Sequence, residues 1–252
     1  MAGTSIEISE EAGVRYLHFS SDWVQGAMRI RRPNALELAY TREMMAGLLL
    51  RPEAPWPRQV LLIGLGAGSL TKFIYHNLPQ TRITVVEISP QVLIAAKQYF
   101  KLPDDAERLH VIVGDGAAYM RDSDARFDYI LVDGFDKNAR AGALDTLPFY
   151  QACRERLSAD GLLAVNLLGR SRGFQASVGR IKEAFDGRAL ALPSCDSGNT
   201  IAFAAAASPA TTSLDELRQR AGLLKKDTGL DLAPTITRLQ AANTLPGGII
   251  EI

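Results

Sequence analysis

Length, composition and charge restrict the classes of protein to which this chain can belong. Its 252 residues can bury one substantial core with a small appendage, and 47% apolar with 22% charged residues is an ordinary globular composition that argues against extended disorder. The 28 basic and 28 acidic residues cancel, so no overall charge favours a nucleic acid or an acidic membrane as partner.

The cellular compartment and the presence of a metal site can be judged from the N-terminal residues, the cysteines and the histidines. No basic segment followed by an apolar stretch opens the chain, so we expect no signal peptide. No apolar run approaches the ~20 residues that a membrane-spanning helix needs. Cys153 and Cys195 lack metal-ligand spacing and the three histidines are scattered. We therefore expect a soluble, cytoplasmic protein with free thiols and no metal site.

The first fifty residues are predicted to form a small unit. Alternating short segments joined by turn residues are typical of a β-meander, and a run rich in Leu, Met, Ala and Glu after Pro33 predicts a helix. Three prolines between residues 52 and 57 form a stiff connector. We therefore predict a domain boundary there, between residues 1–52 and residues 53–252. The predicted strands are Ser5–Ser9, Val14–Phe19 and Val24–Ile30, and the predicted helix is Ala35–Leu50.

From residue 59 onward, apolar strand segments alternate with amphipathic helical segments. This pattern implies a parallel sheet that is covered by helices on both faces. The last two strands leave no room for a helix between them, which predicts an antiparallel hairpin. The strands are predicted at Gln59–Ile63, Arg82–Glu87, Leu109–Val113, Tyr129–Asp133, Leu162–Leu168, Ala189–Leu192 and Thr200–Ala206. The helices are predicted at Leu70–Asn77, Pro90–Phe100, Ala117–Arg121, Thr146–Leu157 and Phe174–Phe185.

The fold class that follows is α/β, with a doubly wound, mostly parallel sheet that ends in an antiparallel hairpin. By analogy this is the Rossmann-like arrangement of class I methyltransferase-type domains. Ser213 and Glu216 form a capping-box pattern ahead of a short helix in the C-terminal tail. The last residues, from Pro246 onward, are predicted to be loosely held.

A glycine-rich turn follows the first strand of the larger domain. Gly64, Gly66 and Gly68 alternate with other residues before the next helix. Glycines at such a turn let the backbone approach a ligand, and the helix offers free N–H groups. A dinucleotide fingerprint would need glycine where Ser69 stands, so the pattern favours a nucleoside without a pyrophosphate. The alternative is that these glycines serve the geometry of a tight turn alone.

Two carboxylates follow at the ends of the next two strands. Glu87 ends the second strand and is suited to accept hydrogen bonds from both hydroxyls of a ribose, unless it is an exposed strand-end acid. Asp115, between two glycines after the third strand, is suited to accept from an adenine amino group or to cap the following helix. All three features fall on the carboxyl edge of the sheet, where open α/β sheets bind ligands. Together they predict a nucleoside site.

A pair of acids, Asp133 and Asp136, ends the fourth strand. Two carboxylates three residues apart suit a cationic amine, because one can hold the cation while the other removes its proton. An alkylammonium has a pKa near ~10 and is no nucleophile until it is deprotonated. The alternative is that Asp133 orders the loop and Asp136 is solvated.

These segments resemble the spermidine synthase (polyamine aminopropyltransferase) family from about Val24 to Ala206. The glycine loop matches the family's G-G-G-D-G-G, and the segments around Glu87 and Asp115 match its V-E-I-D and G-D-G. Residues 127–136 match F-D-x-I-x-x-D-x-x-D. Shorter matches are Val24-Gln25 to V-Q, Tyr40–Met44 to Y-[HQ]-E-M with one extra residue, and Ser197–Asn199 to a late S-G-Q.

The resemblance implies a transferase that moves an aminopropyl group from decarboxylated S-adenosylmethionine to a polyamine. The S-adenosyl compound is then a co-substrate rather than a tightly bound cofactor. Asp133 would be the base, and Asp136 and Tyr40 would position the amine. The implied partner is a small polyamine or another amine, with no nucleic acid and no membrane, and a homodimer is left open. The donor would be held by Gln25, Gly64, Gly66, Gly68, Glu87 and Asp115.

The chain departs from the family pattern at several places. Ala67 replaces an aspartate that engages the amino group of the donor, which puts the preference for the decarboxylated donor in question. Residues 137–139 replace a proline and glycines, and no tyrosine follows Tyr150. Two other functions therefore stay open: an S-adenosylmethionine-dependent methyltransferase, and a non-catalytic protein that binds a nucleoside or a polyamine.

Overall fold

A computed structural model describes residues 6–19, 24–53, 55–136, 139–195 and 198–252. Its first element is a three-stranded antiparallel sheet, as the predicted meander requires. The strands are β1 (Glu7–Glu11), β2 (Val14–His18) and β3 (Val24–Arg29). Ala12 and Gly13 both have positive φ, 49° and 75°, which matches the tight turn of a two-residue hairpin. Ser5, where the first strand was predicted to begin, lies outside the described residues.

The predicted helix Ala35–Leu50 is wrong in length and continuity. Two short helices form instead, α1 (Ala39–Met44) and α2 (Gly47–Leu50). The Tyr129 hydroxyl donates to the Met44 carbonyl oxygen, which an uninterrupted helix would pair with the N–H of Leu48. The Leu48 N–H bonds to Met45 O instead, at 3.1 Å. A contact from the central sheet thus ends the first helix.

A seven-stranded sheet forms the centre of the molecule, with the strand order β6-β5-β4-β7-β8-β10-β9. Its first five strands are parallel, and β10 pairs antiparallel with both β8 and β9. The predicted doubly wound sheet and its terminal hairpin are confirmed. In chain order the elements are β4 (Gln59–Ile63), α3 (Ser69–Asn77), β5 (Arg82–Glu87), α4 (Pro90–Tyr99), β6 (Leu109–Val113), α5 (Gly116–Asp122), β7 (Phe127–Val132), α6 (Leu147–Arg156), β8 (Leu157–Leu168), α7 (Phe174–Ala184), β9 (Ala189–Ala191) and β10 (Asn199–Ala205).

Strand β8 begins five residues before the predicted start at Leu162. Leu157 is buried and pairs with Phe127 of β7, and the register between β7 and β8 shifts before Tyr129 pairs with Leu162. The extra residues therefore extend the strand through an irregular segment. That extension is not visible in the alternation of apolar residues.

Side chains of the central sheet alternate between two hydrophobic clusters, as the two-residue period of a strand requires. Val60 and Leu62 of β4 face a cluster that also contains Leu17, Met28 and Met44 from the N-terminal region. The alternate residues of β4, beginning with Leu61, face the cluster formed with α6 and α7. The N-terminal sheet thus adds to one core of the central sheet, and the predicted boundary at residue 52 stays a prediction.

The C-terminal region is more ordered than predicted. It contains β11 (Thr211–Ser213), α8 (Leu214–Thr228), α9 (Ala233–Ala241) and β12 (Ile249–Glu251), and the capping box at the start of α8 is confirmed. The end of the chain is not loosely held, because β12 pairs with β11 and buries Ile250 and Ile252. In the part of the chain that the structure describes, no helix is both long and apolar enough to cross a membrane.

Candidate functional site

A cavity of about 720 Å³ opens where β4, β5 and β7 end. The segments that follow these strands form its floor, and β3, α1 and residues 139–144 form its walls. The structure brings eight of the nine predicted site residues to this one cavity. They are Gln25, Tyr40, Gly64, Gly66, Glu87, Asp115, Asp133 and Asp136.

Two glycines of the loop are required by close contacts with other parts of the backbone. Gly64 has a φ of 98°, and a Cβ at this position would overlap the carbonyl oxygen of Asp133. Gly66 has a φ of 51°, and a Cβ there would lie 2.9 Å from the carbonyl oxygen of Gln25. Turn geometry and packing therefore need these glycines even without a ligand.

Gly68 lies beside the cavity rather than among the residues that line it. It is the N-cap residue of α3 with a φ of 65°, and a Cβ there would lie 3.0 Å from Cδ1 of Leu102. The residue faces the hydrophobic core, so turn geometry and packing need this glycine, and its predicted part in binding the donor stays a prediction. The alternating glycine pattern could not separate the two roles.

Glu87 is buried at the floor of the cavity, with 6% of its surface exposed, so it is not an exposed strand-end acid. Its Oε2 accepts from the N–H of Leu65 and its Oε1 from the N–H of Ser89, each at 2.8 Å. Burial raises the pKa of Glu87, and these backbone hydrogen bonds oppose the rise. Besides Leu65 and Ser89, the backbone N–H groups of Gly66 and Ile88 also act on this carboxylate, so the backbone fixes its place on the cavity floor.

Asp115 has the helix-capping role that was one of its two predicted alternatives. Its Oδ1 accepts from the N–H of Ala118 at 2.8 Å, as the N-cap of α5. The residue also lines the cavity and is exposed. Capping engages Oδ1, and the second carboxylate oxygen can accept a hydrogen bond from a ligand.

Asp133 follows β7 and is held by side chains from two other elements. The Tyr40 hydroxyl, from α1, hydrogen-bonds to its carboxylate. Nδ2 of Asn166, from β8, donates to Oδ1 of Asp133 at 2.8 Å. Burial raises the pKa of Asp133, while the hydrogen bonds from Asn166 and Tyr40 lower it. Asp133 is therefore a carboxylate of increased basicity that two donors hold in place.

Asp136 is exposed and shapes the loop after Asp133. Its Oδ1 accepts from the N–H of Arg140 at 2.9 Å, and its own N–H donates to Arg140 O at 3.0 Å. Asp136 is thus exposed, as the alternative drawn from the sequence had it, but it also orders the loop, a role that the alternative gave to Asp133. Lys137 and Asn138 lie outside the described residues.

The wall formed by residues 139–144 is fixed from behind by Asp145, which the sequence did not indicate. Its Oδ1 accepts from the hydroxyl of Tyr150 at 2.9 Å. Its Oδ2 accepts from Ser177 at 2.8 Å and from Arg180 at 2.6 Å. One carboxylate thus ties the wall of the cavity to α6 and α7.

Ala67 and Asn199 also line the cavity. Ala67 is buried against β3, and a Cβ on Gly26 would lie 2.6 Å from the Cβ of Ala67. Asn199 belongs to the segment that resembles the family's S-G-Q, of which Ser197 lies outside the described residues. The sequence analysis did not identify Asn166 as a site residue. The signal that could have identified it is a single amide side chain within the apolar run of β8.

Comparisons with known proteins find the same family that the sequence motifs resemble. Residues 37–167 match the family model described as Spermine/spermidine synthase domain. The chain is 39% identical to a polyamine aminopropyltransferase of Neisseria meningitidis serogroup A over 238 residues, which are 94% of this chain and 90% of the relative.

Two solved structures share the fold. A probable spermidine synthase from Corynebacterium glutamicum gives a TM-score of 0.72 at 19% identity, over 92% of this chain and 95% of that one. Human methyltransferase-like protein 13, in complex with SAH, gives a TM-score of 0.68 at 25% identity, over 76% of this chain and 93% of that one. The α/β class and the doubly wound sheet are thus common to synthases and methyltransferases.

Proposed function

This chain belongs to the spermine/spermidine synthase family, and we propose that it is an aminopropyltransferase that acts on decarboxylated S-adenosylmethionine and a polyamine-type acceptor. The observation that carries the proposal is that one cavity holds two sets of acids. Glu87 and Asp115 are suited to a nucleoside, and Asp133 and Asp136 to a cationic amine. An enzyme that joins these two ligands needs both sets within one enclosure.

The nucleoside half of the site is the floor of the cavity. Glu87, which lines this floor, would accept hydrogen bonds from the ribose hydroxyls. Asp115 would accept from the adenine amino group with the oxygen not used in capping. Gly64, Gly66 and Gln25 would set the space for the rest of the donor. An S-adenosyl co-substrate also agrees with the human relative, whose structure contains SAH.

The transfer step is a nucleophilic displacement at carbon. Asp133 removes a proton from the ammonium of the acceptor, which frees the lone pair on nitrogen. The nitrogen attacks the methylene carbon next to the sulfonium, a C–N bond forms, and the C–S bond breaks with its electron pair going to sulfur. Methylthioadenosine leaves uncharged, and the new secondary amine carries the positive charge. Burial of Asp133 favours this base, because its raised pKa lies closer to that of the amine.

Asp136 and Tyr40 would position the acceptor in this scheme. Asp136 lines the cavity three residues after the base, where its charge attracts the ammonium. Tyr40 contacts the Asp133 carboxylate and lines the cavity. Its hydroxyl would therefore lie close to the acceptor nitrogen when that nitrogen is bound at Asp133.

A methyltransferase is the second candidate, because of one residue. The family pattern has an aspartate at position 67, where it engages the amino group of the donor. Ala67 lines the cavity but carries no charge. A donor that keeps its carboxylate would then meet no like charge at this position. The similarity to a methyltransferase-like protein over 76% of the chain agrees with this candidate.

One assay separates the candidates. The purified protein is incubated with decarboxylated or ordinary S-adenosylmethionine and a panel of amines, and the released nucleoside is identified by chromatography. Methylthioadenosine, formed only with the decarboxylated donor and an amine, supports the proposal. S-adenosylhomocysteine with the ordinary donor supports a methyltransferase, and no product with either donor supports a non-catalytic binding protein.

The variant Ala67→Asp adds a test of donor choice. The new carboxylate should attract the amine of the decarboxylated donor and repel the carboxylate of the ordinary one. Calorimetric titration of both donors should therefore show the ratio of their affinities moving toward the decarboxylated form. An unchanged ratio in a folded variant would mean that residue 67 does not contact the donor tail.

A further inference from the structure

Two asparagines behind Asp133 form a line across three neighbouring strands. Val132 of β7 pairs with Val165 of β8, so the next residues, Asp133 and Asn166, stand side by side. Asn166 pairs in turn with Ile201 of β10, and Asn199 lies two residues before Ile201. Because alternate residues of a strand share a face, the side chains of positions 166 and 199 are diagonal neighbours.

The hydrogen bonds follow this line in one direction. Nδ2 of Asn199 donates to Oδ1 of Asn166 at 2.9 Å, and Nδ2 of Asn166 donates to Oδ1 of Asp133 at 2.8 Å. Asn166 has 4% of its surface exposed, so water does not replace either partner. A carboxylate can only accept, and an amide has one accepting and one donating end. The bond from Asn199 therefore decides which end of Asn166 faces Asp133.

We propose that Asn166 is a positioning residue for Asp133 and that Asn199, by fixing the direction of the Asn166 amide, keeps Asp133 ionised and aimed into the cavity. The inference rests on the proposed function, since it assigns the control of the base in that reaction. Asn199 lines the cavity, and in this proposal it acts on Asp133 through Asn166 rather than by contact with a ligand.

The effect on protonation follows from the groups around the base. Within the described residues, Tyr40 of α1 bonds to Asp133, Cys195 lies beside Tyr40, and Asp136 follows on the same loop. Burial raises the pKa of Asp133, and the bonds from Asn166 and Tyr40 oppose it. If the Asn166 amide turned over, its oxygen would face the carboxylate, and Asp133 would need a proton to satisfy the contact.

The test is the variant Asn199→Asp, which keeps the shape of the side chain and removes its donor. The introduced carboxylate accepts from Nδ2 of Asn166 and so turns the oxygen of that amide toward Asp133. The pKa of Asp133, followed by NMR of ¹³C-carboxyl aspartate and assigned with Asp133→Asn, should rise by about one unit or more. The acidic limb of kcat should move to higher pH by a similar amount. At one pH unit below the limb of the parent protein, this is about a tenfold loss of rate.

We call the two hydrogen bonds from Asn199 through Asn166 to Asp133 the relay. A double-mutant cycle separates the effect of this relay from the effect of the added charge. In the Asn166→Ala background, where no amide can turn, Asn199→Asp should produce little further rise in the pKa of Asp133. An equal rise in both backgrounds would mean that charge alone acts, which would overturn the proposal. Asn199→Ala, which lacks the charge, should give a smaller rise in the same direction. Asn243→Asp places the same charge at an exposed position outside the line of hydrogen bonds and should change neither the pKa of Asp133 nor the acidic limb of kcat.

The NMR titration needs no turnover, so its failure differs from that of the proposed function. If the parent protein alkylates an amine while the pKa of Asp133 stays constant in Asn199→Asp and in Asn199→Ala, the relay is excluded and the function stands. If the parent protein alkylates no amine, the proposed function fails. A rise confined to backgrounds that contain Asn166 then still supports the relay.

Discussion

At the scale of single residues, the acids of the cavity differ in the groups that already bind them. Backbone N–H groups bind the carboxylates of Glu87 and Asp115. Asp133 is bound by side chains from two distant parts of the sequence. An acid fixed by the backbone keeps its place whatever the ligand does. An acid held by side chains has a basicity that those side chains can set, which suits a proton acceptor.

The variant Glu87→Gln tests the nucleoside site. We expect methylthioadenosine to bind about 2–3 kcal/mol more weakly, the range for losing hydrogen bonds to a charged group. Isothermal titration calorimetry measures this directly. The exposed Glu107 supplies a matched control, because Glu107→Gln removes the same charge on the surface and should leave the affinity unchanged. Equal affinities for Glu87→Gln and the control would remove Glu87 from the ribose site.

The acidic pair should respond unequally to loss of charge. Asp133→Asn keeps the shape of the side chain but removes the proton acceptor, so methylthioadenosine should still bind while amine alkylation is lost. Asp136→Asn should raise the KM of the amine more than it lowers kcat, because it removes attraction for a cation and not proton transfer. Steady-state kinetics of both variants across a polyamine panel measures the difference. Substantial alkylation by Asp133→Asn would require another base.

At the scale of elements, β3 and the glycine loop depend on each other. A Cβ on Gly26 of β3 would lie 2.7 Å from the backbone nitrogen of Ala67, and a Cβ on Gly66 would lie 2.9 Å from Gln25 O. The loop thus keeps its path because a strand of the small sheet passes directly over it. The N-terminal sheet shapes the cavity through this contact.

The pair Gly26→Ala and Gly179→Ala tests that dependence. Gly26→Ala forces the strand and the loop apart, and we expect it to lower the free energy of unfolding by about 1–3 kcal/mol and to weaken methylthioadenosine binding. Gly179 lies within α7 with nothing within 4 Å of an added Cβ. The same substitution there should raise stability by about 0.5–1 kcal/mol. Urea denaturation measures both, and equal effects would show that the contact between β3 and the loop is unimportant.

The sequence predicted best those elements whose pattern is local. Gln59–Ile63, Arg82–Glu87 and Leu109–Val113 have the predicted bounds, because each is an apolar run between turn residues. The break after Met44 was not predictable, since it depends on the Tyr129 hydroxyl 85 positions away. The acids of the cavity stand at predictable strand ends, whereas Asn166 gains its meaning only from strand order, which no local pattern contains.

At the scale of the whole molecule, a buried lysine under the glycine loop affects stability. Lys72 of α3 has 0% of its surface exposed, and its Nζ donates to Phe100 O at 2.7 Å. Burial, together with nearby Lys101, lowers the pKa of Lys72 to about 8. The amino group of Lys72 therefore binds a proton less tightly in the folded protein than in the unfolded chain.

The sign of the resulting pH dependence can be worked out. Below pH 8 the lysine is protonated in both states, and the folded state bears the cost of the buried charge. Between about pH 8 and the unfolded value near 10.4, the folded protein releases the proton while the unfolded chain keeps it, so this group makes the free energy of unfolding rise with pH. Tyr129, Tyr150 and Cys153, whose pKa values burial raises, act in the opposite direction above their own unfolded values.

The variant Lys72→Met isolates the lysine, because the tyrosines and the cysteine titrate alike in both proteins. We expect the free energy of unfolding of the variant, relative to the parent protein, to fall as pH rises from 7 to 10, by an amount on the order of 2–3 kcal/mol. Loss of the hydrogen bond to Phe100 O changes the absolute value at every pH but not this slope. Lys182→Met, at an exposed position of α7, should give a difference that is constant over the same range. Urea denaturation at five pH values measures both variants, and a flat difference for Lys72→Met would mean that the lysine stays charged in the folded core.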